Sequence, residues 1–176
     1  MFTLLLATVS LLLTDLQNKY SAYEASPHPP AGYSVEIVYD KKSGDYTGEL
    51  HAYGQRSGLL KMPPIKKCPF CFEGDFQLVR SQSDRVLFIP NSHIPHWFAA
   101  SLQMQEELLQ RGVEWSAKIE ECVPLALTTN GCYLFELHVG SFAGQTIPHL
   151  HLRFQGGPKQ GRLDQKTWEM LIPPTS

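Results

Sequence analysis

The chain has little of what would settle its class at once. Four cysteines among 176 residues are too few for a scaffold stapled by disulfides. Acidic and basic residues almost balance, at a formal net charge of -2. No global basic field follows, and nucleic acid is not an expected partner. A local cationic pocket for a phosphate stays open. The opening apolar run, MFTLLLATVSLLL, falls short of the roughly 20 residues a membrane helix needs, so no stable membrane span is expected. Internal repeats and low-complexity stretches are absent. What remains is an ordinary globular composition, 43% hydrophobic and 18% charged, at a length that suits one domain with a sizeable core.

The opening run matches a signal-peptide core in length, but no Lys or Arg precedes it. Leu12, Leu13, Leu16, Tyr20 and Tyr23 recur at roughly helical spacing. A helix docked on the domain is therefore the preferred reading, with a cytoplasmic location, and a secretory signal is the alternative. A proline-rich link (25–32) follows, with His28 as a loop residue. Residues 33–54 alternate about Ser-Gly-Asp and read as a hairpin. LLKMPPIKK (59–67) is a connector. FQLVR and RVLFIP around SQSD form a second hairpin. A long helix is expected from about Phe98 to about Val123, with Ser101 as an alternative N-cap and Gly112 as a weak point. TNG marks a turn, CYLFELHV is a strand, GSFAGQT is a glycine loop and IPHLHLRF is the final core strand. The tail from QGGPKQG is loop-rich, with a short helix around Trp168.

Two constellations carry chemistry. In CPFC, Cys68 and Cys71 can grip one metal ion through a tight turn. A redox pair would normally open a helix, where the dipole lowers a thiol pKa, whereas here the flanking EGDFQLV leads into a strand, more like a zinc knuckle. Zinc, redox chemistry and reduced structural cysteines all remain open. Zinc needs further ligands, and His93, His96, His138, His149 and His151 are the candidates. The second constellation is HVGSFAGQTIPHLHLR. Gly140 and Gly144 let backbone approach a ligand, Ser141, Gln145 and Thr146 bring polar donors, and backbone N–H groups in such a turn can form an anion nest. In a strand His149, His151 and Arg153 share a face, with Leu150, Leu152 and Phe154 on the other. A histidine beside phosphate donors can attack phosphorus.

GSFAGQTIPHLHL closely resembles the signature of the histidine-triad (HIT) superfamily of nucleotide hydrolases and transferases. IPNSH resembles that family's Ile-Pro-x-x-His segment, and CPFC is similar to the zinc-bearing branch that includes galactose-1-phosphate uridylyltransferase. The resemblance covers about 66–156. It implies an α+β, HIT-like fold, an antiparallel sheet with a long helix packed on one face. The expected division is an N-terminal helix and hairpin extension (1–65), the HIT-like domain (66–156) and a C-terminal tail (157–176).

The same resemblance implies site roles. His151, in the middle position, is the nucleophile. Cys68, Cys71, His93 and His149 hold a structural zinc, with His96 ranked well below His93. Ser141, Gln145 and Thr146 contact the phosphate. Two positions depart from the family. Arg153 stands where the family has His or Gln, and arginine stays protonated and cannot act as a general acid, although it can bind a phosphate oxygen. His138 stands where the family commonly has Asn. It can orient the nucleophile through a ring nitrogen or simply pack in its strand. The implied function is a nucleotide hydrolase or nucleotidyltransferase working through a nucleotidyl-histidine on a nucleotide or nucleotide sugar. The alternatives are a degenerate nucleotide-binding or interaction domain and a CxxC oxidoreductase. Family members commonly pair as dimers through the long helix and a sheet edge, which would place a homodimer contact at 98–123.

Overall fold

A computed structural model describes residues 2–56, 68–81, 85–122, 128–129, 131–155 and 163–172. The expected connector (59–67), the middle of the second hairpin's turn (82–84), Val123, Asn130 and the glycine-rich start of the tail (156–162) lie outside these.

Helix α1 (Phe2–Glu24) ends where Pro27, Pro29 and Pro30 cannot continue it. Val9, Leu13 and Leu16, spaced four and three apart, are buried. Leu12 and Tyr20 lie partly buried beside them, so the docked-helix reading describes its packing. Tyr23, at the stripe's end, is 41% exposed. Among the described residues no helix is long and apolar enough to cross a membrane.

Strands β1 (Gly32–Asp40) and β2 (Tyr46–Tyr53) form the first hairpin. Its turn is closed by the Asp40 carboxylate, which accepts the N–H groups of Lys42 and Ser43 at 2.7 and 3.2 Å. Strands β3 (Phe76–Arg80) and β4 (Val86–Pro90) form the second. The short β5 (Thr128–Thr129), β6 (Cys132–Val139) and β7 (Leu152–Gln155) complete a seven-stranded antiparallel sheet of order β2-β1-β6-β7-β4-β3, with β5 also paired to β6. Along β6 the period of two is strict: Tyr133, Phe135, Leu137 and Val139 are buried, and Leu134, Glu136 and His138 take the other face.

The buried face is covered by α1 and by helix α2 (Leu102–Cys122). Leu108, Leu109, Gly112, Ser116 and Ile119 supply the inner stripe of α2. At Gly112 a Cβ would sit at ordinary contact distance, 3.4 Å, from Leu152 and Phe135, so the helix lies against the sheet there without glycine being demanded. Helix α3 (Gln165–Leu171) forms around Trp168, capped by Asp164, which accepts the Thr167 N–H at 2.8 Å. The α+β architecture with a long helix on one face of an antiparallel sheet is as expected.

Two boundaries differ from the sequence expectation. The long helix begins at Leu102, because Ser101 accepts the Met104 N–H at 3.2 Å as its cap. Phe98 sits in a separate 3-10 turn (Trp97–Ala99), buried against the core. The last strand begins at Leu152, not at Ile147. Pro148 has no N–H to donate, the His149 N–H bonds Ile147 O at 2.8 Å, and the Leu150 N–H bonds Ile94 O at 2.6 Å. Residues 147–150 therefore follow the loop after β4 instead of the ladder.

Candidate metal centre and active site

The departure from the ladder assembles a cluster that could hold a metal ion. It brings His149, just before β7, beside the CPFC turn. There the Cys71 N–H bonds Cys68 O at 3.4 Å and Gln77 Nε2 donates to Phe70 O at 2.9 Å. Cys68 Sγ lies 3.1 Å from His149 Nδ1, Cys71 Sγ lies 3.6 Å from His93 Nδ1 and 3.8 Å from His149 Nδ1. The ligand atoms of Cys68, Cys71, His93 and His149 all fall within 4.8 Å of one another. A tetrahedral ion with sulfur at about 2.3 Å and nitrogen at about 2.0–2.1 Å gives ligand–ligand edges of roughly 3.4–3.8 Å, which the three short contacts match to a few tenths of an ångström.

Outer contacts aim the ligands. His149 is fully buried, and its Nε2 lies 2.7 Å from Pro90 O. A carbonyl can only accept, so Nε2 carries the proton and Nδ1 turns its lone pair toward the sulfurs. Burial, ahead of the neighbouring His93, lowers the His149 pKa and favours the neutral ligand form. Desolvation, and then the adjacent Cys68, raise the Cys71 thiol. Metal binding would displace that proton. His96 is not part of the cluster. Its ring stands 6.2 Å from Tyr20 of α1, and burial lowers its pKa.

The glycine loop follows β6. Gly140 (φ 84°) and Gly144 (φ 88°) bracket a 3-10 turn at Ser141–Ala143 in backbone conformations that favour glycine. Gly32 is needed below it, since a Cβ there would lie 2.8 Å from Ala143 N. Ser141 and Thr146 are exposed. Gln145 differs. It is 4% exposed, its Oε1 accepts the Gly140 N–H at 2.9 Å and its Nε2 donates to Pro95 O at 2.7 Å. Both ends of the amide are engaged with backbone, so Gln145 holds the loop to the segment after β4. The N–H groups of Ala143, Gly144 and Gln145 also bond within the loop, so these three are not offered to a ligand.

His151 lies where the loop meets β7. Its Nδ1 is 2.9 Å from His149 O. The same carbonyl argument puts the proton on Nδ1 and the lone pair on Nε2, which no described residue hydrogen-bonds. Burial first, then the charges of Arg153 and His138, push this ring's pKa down to about 4, against the opposing pull of the His149 carbonyl. His149 of the Cys/His cluster and the candidate nucleophile are thus joined by one carbonyl.

The β6–β7 ladder ends at Glu136↔Arg153, and beyond it the His138 charge reaches the His151 ring. His138 Nε2 lies 3.0 Å from Glu136 Oε1, and its Nδ1 is buried without a hydrogen-bond partner among the described residues. The hydrogen bond from His138, followed by the Gln155 amide and the Arg153 charge, lowers the Glu136 pKa to about 2 despite burial. A cleft of about 490 Å³ opens on this face, lined by Glu36, Arg85, Leu134, Glu136, His138, Arg153 and Gln155. Arg85 and Glu136 carry no local motif. Only the strand register, which a sequence does not display, brings them beside His138 and Arg153.

No protein-family model matches this chain, and neither a curated protein nor a solved structure matches it.

Proposed function

We propose that the chain is a nucleotide hydrolase or nucleotidyltransferase of the histidine-triad type. His151 is the nucleophile, and a structural zinc on Cys68, Cys71, His93 and His149 fixes its position. The carrying observation is the His151 Nδ1 contact to His149 O at 2.9 Å. It selects the tautomer whose Nε2 lone pair is available, and it ties that ring to a residue of the metal cluster.

In this reading His151 Nε2 attacks the α-phosphorus. The N–P bond forms as the bond to the leaving oxygen breaks, and the leaving group departs with the electron pair. Water, or an acceptor phosphate, then attacks the same phosphorus and releases the imidazole. Ser141 and Thr146 offer hydroxyl donors to the phosphate, and Arg153 stabilises charge there. Gln145 shapes the loop and does not touch substrate. His138, held by Glu136, stands beside His151 and orients it. Zinc contributes structure only, because two sulfurs and two nitrogens complete its tetrahedral shell.

The test is turnover of a panel of dinucleoside polyphosphates, nucleotide sugars and nucleoside phosphoramidates by the parent and by His151→Ala, with metal content measured on both. The reading expects activity in the parent, none in the variant and equal metal. Tight nucleotide binding by the parent without any turnover supports the degenerate binding domain instead, which the replacement of a proton donor by Arg153 favours.

A further inference from the structure

Arg85 lies outside every motif, yet it faces the candidate site. Leu87 and Phe88 pair with Arg153 and Leu152, so Arg85, two residues before Leu87, falls beside the end of β7. Its guanidinium and that of Arg153 line the same cleft. The cleft also holds two carboxylates, and Glu136 lies across from Arg153 on β6. Glu136 binds His138 at 3.0 Å and Gln155 at 2.5 Å, while Glu36 is exposed on β1. Arg85 Nη1 is buried with no hydrogen-bond partner among the described residues. Among the described residues neither arginine forms an ion pair. Burial disfavours the protonated form of Arg153, the Glu136 charge across the sheet opposes this, and the Arg85 charge adds to the effect of burial. A buried donor without an acceptor, facing a second cation, is destabilising, and a doubly charged anion bridging the two would satisfy both.

We infer that Arg85 and Arg153 form a subsite for a second phosphate, the one that leaves the histidine-linked phosphorus or attacks it. This rests on the reading of His151 as nucleophile. Arg153 lies two residues after His151, a span of at most about 7 Å of extended chain, within reach of the neighbouring phosphate of a bound phosphoanhydride. The chemistry agrees with the residue type. An amine or alcohol leaving group needs a proton as its bond to phosphorus breaks, and arginine cannot give one. A phosphate departs as an anion, carrying the electron pair from the broken P–O bond, and needs only positive charge. The substrate class therefore narrows to phosphoanhydrides, in which the cleaved bond joins two phosphates, and away from phosphoramidates.

Calorimetric titration with pyrophosphate tests this on the full chain as purified with its metal. Arg85→Gln should weaken pyrophosphate by about tenfold, the loss of a charge-assisted hydrogen bond. Arg85→Lys, which keeps the charge and guards against misfolding of the glutamine variant, should fall between parent and glutamine. In turnover, Arg85→Gln should lower kcat/KM much more for a dinucleoside polyphosphate than for a nucleoside phosphoramidate. Unchanged pyrophosphate affinity in Arg85→Gln, or an equal loss on both substrates, overturns the subsite. Retained turnover in His151→Ala overturns the histidine reading alone, since the pyrophosphate titration does not depend on it.

Discussion

Replacing Gln145 with alanine tests how the glycine loop is held. The side chain is 4% exposed and makes two bonds to backbone, from Gly140 N at 2.9 Å and to Pro95 O at 2.7 Å. Truncation removes both, each worth about 1 kcal/mol net, and strands the buried Gly140 N–H at a further cost of about 1–3 kcal/mol. Part of the Gly140 cost is recovered if water enters the space left behind, so the expected loss is about 2–4 kcal/mol. For a chain of this size, a loss near 3 kcal/mol lowers Tm by roughly 6–12 °C. Urea unfolding followed by circular dichroism reads the loss directly as a shift in midpoint at constant slope. Gln145→Glu sharpens the test. It keeps an oxygen for Gly140 but turns a carboxylate toward the Pro95 carbonyl, so at neutral pH it should be no more stable than the alanine variant. Thr146→Ala, at an exposed position, should stay within about 0.5 kcal/mol of the parent. If Gln145→Ala unfolds within that same margin while losing activity, Gln145 contacts phosphate directly and the reasoning about its engaged amide is wrong.

Glu136 gives a pH signature. Its folded pKa of about 2 lies below the ordinary 4.5, so its stabilising contribution is complete above about pH 4.5 and fades as pH falls toward 2. Glu136→Gln should be less stable than the parent by about 1–2 kcal/mol at pH 6, allowing for solvent screening, and the difference should shrink steadily by pH 3. A constant difference across that range counts against the depressed carboxyl. Removing the metal should destabilise the chain, because the ion binds the folded arrangement and not the unfolded one. A chelator should lower Tm by roughly 5–10 °C, as expected for a ligand present at about a hundred times its Kd. It should also expose Cys71 to a thiol reagent. A chain purified without metal, with an unmoved Tm and a Cys68–Cys71 disulfide, would instead mark a redox pair.

Local pattern carried much of this architecture. Both hairpins, β6 and the α3 helix around Trp168 follow from alternation, turn residues and helical spacing. The ligand types of Cys68, Cys71, His93 and His149 were legible because few other residues can bind a soft divalent ion, and the structure brings those four together. Boundaries set by single hydrogen bonds were less visible. Ser101 offered a start for α2 competing with Phe98, and only the Met104 contact decides it. The shortened β7 depends on where the Leu150 N–H goes, which is to Ile94, far away in sequence. Gln145 looks like a ligand-binding residue in its motif, but its amide partners are backbone groups of Gly140 and Pro95. Arg85 became part of the site only through the register of β4 on β7. For β7, for the Gln145 amide nitrogen and for Arg85 the deciding partner lies on another element, and no local pattern names it.

The central claim is a covalent bond between His151 and a nucleotide phosphorus. The direct measurement is to incubate the protein with α-labelled dinucleoside polyphosphates and nucleotide sugars, quench in alkali because an N–P bond is acid-labile, and map the labelled peptide by mass spectrometry. The account expects the label on His151, absent from His151→Ala and released by water or by an acceptor phosphate. A labelled residue elsewhere, or turnover with no labelled protein at any time point, contradicts it.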